Sequence, residues 1–183
     1  MRLLAQPLQN SYWVVPGRLL AGEYPYGADE ADTRNRLQSL RDAGIDYFID
    51  LTEGDERPEY RHLLPAQTKY LRSAIPDTEV PNDVAQMQEI QSRIRAGLLF
   101  GRCIYVHCRA GIGRTATVVG CYLGEQGLDG KAALKQLNRL WRQSARAQSW
   151  PKVPQTPEQA EYILRWERHR RSGDKRVARG RRV

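Results

Sequence analysis

Apolar and polar positions alternate with a short period in the first half of the chain and a helical period in the second. YWVVPGRLLAGEYP (12–25) carries β-branched and aromatic residues on both sides of Pro16-Gly17, which predicts two short strands around a turn. ADTRNRLQSLRDAG then spaces Leu37 and Leu40 among polar residues and stops at Gly44, an amphipathic helix with a glycine end. IDYFIDL (45–51) has the unbroken apolar run of a buried strand, and a charged loop, TEGDERPEY, follows it. KYLRSAI (69–75) predicts another strand. NDVAQMQEIQSRIRAGLL predicts a helix capped by Asn82, with Val84, Met87, Ile90, Ile94 and Leu98 on one face.

CIYVH (103–107) is a further strand, and TATVVGCYLGEQG an apolar helix ending at Gly127. GKAALKQLNRLWRQ predicts a helix that turns Leu134, Leu137 and Trp141 inward. In TPEQAEYILRWERHRR, Thr156, Pro157 and Gln159 supply the cap, first-turn proline and N3 partner of a capping box. Strands early and helices late imply one α/β domain, a sheet with helices packed on it.

Length and composition agree with a single core: 183 residues, 40% of them hydrophobic. Neither the opening MRLLAQPLQN nor any later stretch has the pattern of a signal peptide or a membrane span, so the expectation is a soluble, cytoplasmic protein. Three cysteines, Cys103, Cys108 and Cys121, without zinc-type spacing fit a reducing compartment better than a disulfide framework. The net charge of +8 is concentrated at the end. From Arg165 onward nine basic residues (Arg165, Arg168, Arg170, Arg171, Lys175, Arg176, Arg179, Arg181, Arg182) face only Glu167 and Asp174. The expected division is a catalytic domain over 1–171 and a basic tail over 172–183, either simply solvated or a contact for an anionic surface.

The chemistry concentrates in HCRAGIGRT, residues 107–115. A strand leading through a glycine-rich turn into a helix start makes an anion site, because unpaired backbone N–H groups converge where the helix dipole is positive. Gly111 and Gly113 allow the curl. A free thiol is only about 3% ionised at pH 7, whereas a helix N-terminus with an adjacent cation lowers its pKa to roughly 3.5–7.5. Cys108 is so placed, and Arg114 offers a planar fork for two phosphate oxygens. GIGRT lacks the spacing and lysine of a Walker loop. Gly111, Gly113 and Ala116 match a dinucleotide fingerprint, but the second strand ending in an acid is replaced by the helical GKAALKQLNRLWRQ.

HCRAGIGRT carries the HCxxGxGR[ST] signature of cysteine-dependent protein tyrosine phosphatases. With AGIDYFIDLTEGDE, IPDTEVP and PQTPEQAEYI around it, residues 18–166 resemble the dual-specificity branch, especially its kinase-associated phosphatase type. The resemblance implies a central, mostly parallel twisted sheet of four to five strands flanked by helices. It implies that Cys108 attacks phosphorus while Arg114 and the amides of Arg109, Ala110, Gly111, Ile112 and Gly113 hold the phosphoryl oxygens. Asp77 would protonate the leaving group, with Glu79 and Asp83 as substitutes. Thr115 would donate to the sulfur, Gln155 and Gln159 would position water, and His107 would support the loop. Gln159 also reads as a cap partner only. No metal or cofactor is called for. Cys103 and Cys121 read as core residues, either of which could pair with Cys108 on oxidation, and Glu53, Asp55 and Glu56 as a solvated loop. A phosphorylated protein, with phosphotyrosine first, is the implied substrate, since Ile112 replaces the second lysine of the lipid-phosphatase pattern CKAGKGR. RNA 5′-phosphate hydrolysis and non-catalytic phosphate binding are the other readings.

Overall fold

The computed structural model describes residues 4–166, so the tail 172–183 and the end of the last expected helix lie outside the described residues. Strands β1 (Ser11–Val15) and β2 (Leu19–Gly22) form an antiparallel hairpin whose turn uses Gly17 at φ 69°. Strands β3 (Tyr47–Asp50), β4 (Lys69–Arg72) and β5 (Ile104–His107) complete a five-stranded sheet in the order β1-β2-β5-β3-β4. Every pairing except β1 with β2 is parallel.

Strand alternation sorts the core into two halves. Tyr12, Ala21, Ile49 and Val106 face helices α2 (Val84–Leu99), α3 (Arg114–Glu125), α4 (Gly130–Trp141) and α5 (157–166). Their neighbours Trp13, Leu20, Phe48 and Tyr105 face α1 (Glu30–Asp42) through Leu37 and Leu40. Both sheet faces are therefore covered, which is why IDYFIDL and CIYVH read as unbroken apolar runs. Trp141 anchors the first half: it is fully buried, packs edge-on against Tyr12 at 5.6 Å, and donates its indole N–H to the Trp150 carbonyl at 2.8 Å.

Local details differ from expectation in three places. Helix α2 is capped by Asp83, which accepts from the Gln86 amide at 2.7 Å, and not by Asn82. Both residue types cap well, and the backbone turns from extended to helical after Asp83 (φ −146°, ψ 169°). The fourth strand stops at Arg72, although Ser73 and Ile75 still donate to Asp50 and Leu51 at 2.9 and 3.1 Å. In α4 the buried positions are Ala133, Leu137 and Trp141, with Leu134 only partly covered. The capping box of α5 forms: Gln159 N–H donates to the Thr156 hydroxyl at 3.3 Å, and Thr156 N–H to the Gln159 amide oxygen at 3.2 Å.

Candidate active site

Strand β5 ends at His107, and the chain then curls from Cys108 to Gly113 before Arg114 opens α3. The curl depends on Gly111. Its φ is 77°, and a Cβ there would lie 2.7 Å from the Gly22 carbonyl carbon on the adjacent strand end. Gly113 is equally confined, since a Cβ would come 2.9 Å from the Gln159 amide nitrogen and 3.0 Å from the Gln155 amide oxygen. Cys108, Arg109, Ala110, Ile112, Gly113 and Arg114 wall a small cavity of about 190 Å³, closed by Asp77 and Gln155. Cys108 is 3% exposed. Eight of the residues expected to bind phosphate or act on it thus meet around this cavity, with Gly111 turned behind it against β2.

Arg114 is almost wholly buried, and its guanidinium is held on every side. Glu56 accepts from Nη1 at 2.7 Å and from Nη2 at 2.5 Å, the Ile75 carbonyl accepts at 3.0 Å, and Asp77 accepts from Nη2 at 2.8 Å. Burial alone would weaken the cation, but the bonds and charges of Glu56 and Asp77 outweigh it and raise the guanidinium above its ordinary range. In turn the Glu56 carboxyl, which burial would raise, is held below the usual carboxylate range by its bond to Arg114. Glu56 is thus no solvated loop residue, as its setting in TEGDERPEY suggests; it fixes the plane of the arginine fork. Among the described residues no group of three His, Cys, Asp or Glu could hold a metal ion, Glu53, Asp55 and Glu56 included.

Asp77 is the carboxylate that reaches the cavity. Of its alternatives, Asp83 caps α2, and neither Asp83 nor Glu79 lines the cavity. The loop bearing Asp77 stores strain at Thr78, whose φ of 66° is unusual for a β-branched residue, while Thr78 N–H donates to the Asp77 carboxylate at 3.0 Å. Arg109 is exposed, with Nη1 3.9 Å from Asp77.

The two glutamines divide. Gln159 is fully buried and spends its amide on Gln155 N–H, Thr156 N–H and the Glu79 carbonyl, so it ties the start of α5 to the Asp77 loop. Gln155 is the one that lines the cavity. The Thr115 hydroxyl donates to the Gly22 carbonyl at 3.4 Å and not to the Cys108 sulfur, because the helix start packs onto the end of β2. Glu23, which sequence reasoning passed over, pins Arg146 at 2.9 Å, and Arg146 donates to the Ala110 carbonyl at 3.3 Å, bracing the loop from outside.

His107 sits behind the loop at no exposure, opposite Asp50 in the strand register. Its Nε2 shares a hydrogen bond with the Tyr60 hydroxyl at 2.6 Å and its Nδ1 lies 3.9 Å from the Asp50 carboxylate, two neighbours that the sequence does not mark. Asp50 accepts from Thr52 N–H and hydroxyl at 2.9 and 2.7 Å and from the Tyr70 hydroxyl at 2.8 Å. Burial lowers the His107 pKa against the opposing pull of Asp50, and the ring is neutral at pH 7. The Asp50 carboxyl, which burial would raise, is lowered by the charge and hydrogen bonds around it. Both shifts have one consequence for stability. The unfolded chain binds a proton on this histidine below about pH 6.5 that the folded chain refuses, and below about pH 4 the same holds for the carboxyl. Stability should therefore be full well above pH 6.5 and fall as the pH drops through and below it, with His107 the first contributor. Denaturant midpoints checked across that range should slope less in His107→Gln; an equal slope would contradict the assignment.

The remaining cysteines lie on opposite sides of the sheet, Cys103 in the α1 half of the core and Cys121 in the half that holds Cys108. Cys103 begins the segment that Cys108 ends, roughly 16 Å away along an extended strand, and burial pushes its thiol up to about 11. Cys121 lies seven residues into α3 from Arg114, about 10 Å along the axis. A disulfide needs Cα atoms within about 7 Å, so the pairing of Cys103 with Cys108 cannot form in this fold, whereas Cys121 belongs to the same buried cluster as Cys108. All three cysteines are free and buried.

A parallel strand that delivers a cysteine to an amide loop, closed by a buried arginine at a helix start, is the site of a phosphatase of the tyrosine and dual-specificity superfamily. The chain belongs to the family PTP-SAK, described as Swiss Army Knife protein, DSP-PTPase phosphatase domain, which it matches over residues 8–172. Curated relatives include a putative tyrosine phosphatase 197R of Invertebrate iridescent virus 6, 27% identical over 58% of this chain and 38% of that protein. Another is putative tyrosine phosphatase 067L of Invertebrate iridescent virus 3, 29% identical over 63% of this chain and 46% of that protein. The match spans less than half the length of either. Among solved structures, Tk-PTP in its active form superposes with TM-score 0.71 at 24% identity, covering 87% of this chain and 97% of that one. Kinase associated phosphatase with its catalytic-site cysteine changed to serine gives TM-score 0.65 at 19% identity, over 86% and 92%. PTPMT1 in complex with PI(5)P gives 0.67 at 19% identity, over 90% and 97%. These likenesses establish the fold.

Proposed function

We propose that the protein hydrolyses phosphotyrosine in protein substrates, with phosphoserine and phosphothreonine as slower substrates, through a phosphocysteine on Cys108. The observation that carries this reading is the meeting of Cys108, the Glu56-braced Arg114 and Asp77 in one cavity. The loop amides and the arginine fork receive the equatorial phosphoryl oxygens. The Cys108 sulfur attacks phosphorus in line; the S–P bond forms as the P–O bond to the phenol breaks, and Asp77 gives its proton to the departing oxygen. Water, oriented by Gln155 and deprotonated by Asp77, then displaces the sulfur and releases phosphate. Thr115 aids that departure by donating to the sulfur once its hydroxyl leaves the Gly22 carbonyl. A tyrosine phenolate, with pKa near 10, departs more readily than an alkoxide, which places phosphotyrosine first.

PTPMT1 is a fold neighbour described with a phosphoinositide, and that substrate class is the second reading. Ile112 gives the loop no second cation, which favours the protein substrate. Leaving-group dependence tests the mechanism. Asp77→Asn should slow phosphotyrosine and alkyl phosphate hydrolysis by about 10²–10⁴-fold while affecting nitrophenyl phosphate far less. Equal losses across the series would remove Asp77 from the acid role.

A further inference from the structure

A groove of about 1000 Å³ runs between α4 and the segment 151–157, and its far end reaches the catalytic cavity, because Gln155 lines both. Its apolar lining includes Leu134, Val153 and Pro154. The wall is fixed: the Asn138 amide donates to the Val153 carbonyl at 2.7 Å and accepts from its N–H at 3.0 Å.

Lys135, Arg139 and Arg142 line one side at positions i, i+4 and i+7 of the helical run, and Lys152 lines the other. All four are exposed, and among the described residues none makes an ion pair. No aspartate or glutamate lines the groove, nor does any aromatic residue. We propose that this groove seats an acidic, extended stretch of the substrate polypeptide, bearing aliphatic side chains and continuous with the phosphorylated residue held over Cys108. The inference rests on the phosphatase reading and adds a substrate preference to it.

Three features select that occupant. The positive sides with an apolar lining match an acidic peptide that also carries aliphatic groups. Single-stranded nucleic acid is bound by aromatic stacking platforms, which this lining lacks. The chain's own terminal run from Arg165 is strongly basic and so has the wrong sign to lie there.

The test compares two phosphotyrosine peptides of the same core, one flanked by Asp, Glu and Leu, the other with the acids replaced by Asn and Gln. Turnover by the wild type should favour the acidic peptide about tenfold in kcat/KM at low salt, and the preference should shrink as salt rises. Lys135→Glu/Arg139→Glu should abolish or reverse the preference, and Lys135→Gln/Arg139→Gln should reduce it. Both pairs should hydrolyse nitrophenyl phosphate at the wild-type rate, which also reports that they fold. Fluorescence anisotropy of the labelled acidic peptide gives the same ranking without turnover, so failure of the phosphatase reading shows as peptide binding with no hydrolysis. The proposal is overturned if wild type shows no acidic preference, or if the preference survives both charge changes. It is overturned too if RNA oligonucleotides or anionic vesicles bind in the groove, with the same loss in the variants, and the acidic peptide does not compete.

Discussion

Replacing the sulfur by oxygen in Cys108→Ser should reduce turnover of aryl phosphates by on the order of 10⁴-fold or more, while the protein remains folded and still binds phosphate or vanadate. The substitution changes one atom in a cavity whose walls are set by others. Gly111 packs on Gly22, Gly113 lies under the two glutamines, and Arg114 is held by Glu56. The amides and the fork therefore stay in place, and what disappears is the nucleophile, because a serine hydroxyl has no base beside it: the neighbouring His107 is buried behind the loop and shares its Nε2 bond with Tyr60. Initial rates and isothermal titration with phosphate would check both halves. A serine variant that turns over at a comparable rate would mean that water attacks directly.

Arg114→Lys should cost on the order of 10²–10³-fold in kcat although the charge is kept. The fork bonds Glu56 through two nitrogens while also facing the cavity, and an ammonium cannot satisfy both. Glu56 would lose one of its two charge-assisted bonds in a largely buried setting, so the thermal midpoint should fall as well. Retention of activity within tenfold would indicate that a positive charge near the loop is enough and that the braced plane has no part in the reaction.

These two residues were visible in the sequence because their chemistry is local: a thiol, two glycines and an arginine within seven positions leave little freedom for any other arrangement. The strands were legible for a similar reason. IDYFIDL and CIYVH are buried on both faces, and period and burial agree. Glu56 was not legible. It belongs to a loop crowded with charge, and nothing near it says that one carboxylate turns inward to an arginine 58 residues later. Asp50 hides at the end of an apolar strand, and only the parallel register places it opposite His107. At α2 the error was of one residue, because Asn82 and Asp83 are both good caps and the backbone decides between them. The groove beside α4 exists only once the 151–157 segment folds back along the helix, with Asn138 bonded to Val153 across 15 positions.

The central claim is a covalent bond between phosphorus and one sulfur. Rapid acid quench of the wild-type protein within the first turnover of a phosphotyrosine peptide, followed by digestion and mass spectrometry, reads that bond directly. The account predicts a phosphoryl adduct on the peptide containing Cys108, formed in a burst no slower than release of the dephosphorylated product. Full turnover with no adduct, or an adduct on any other residue, would contradict it.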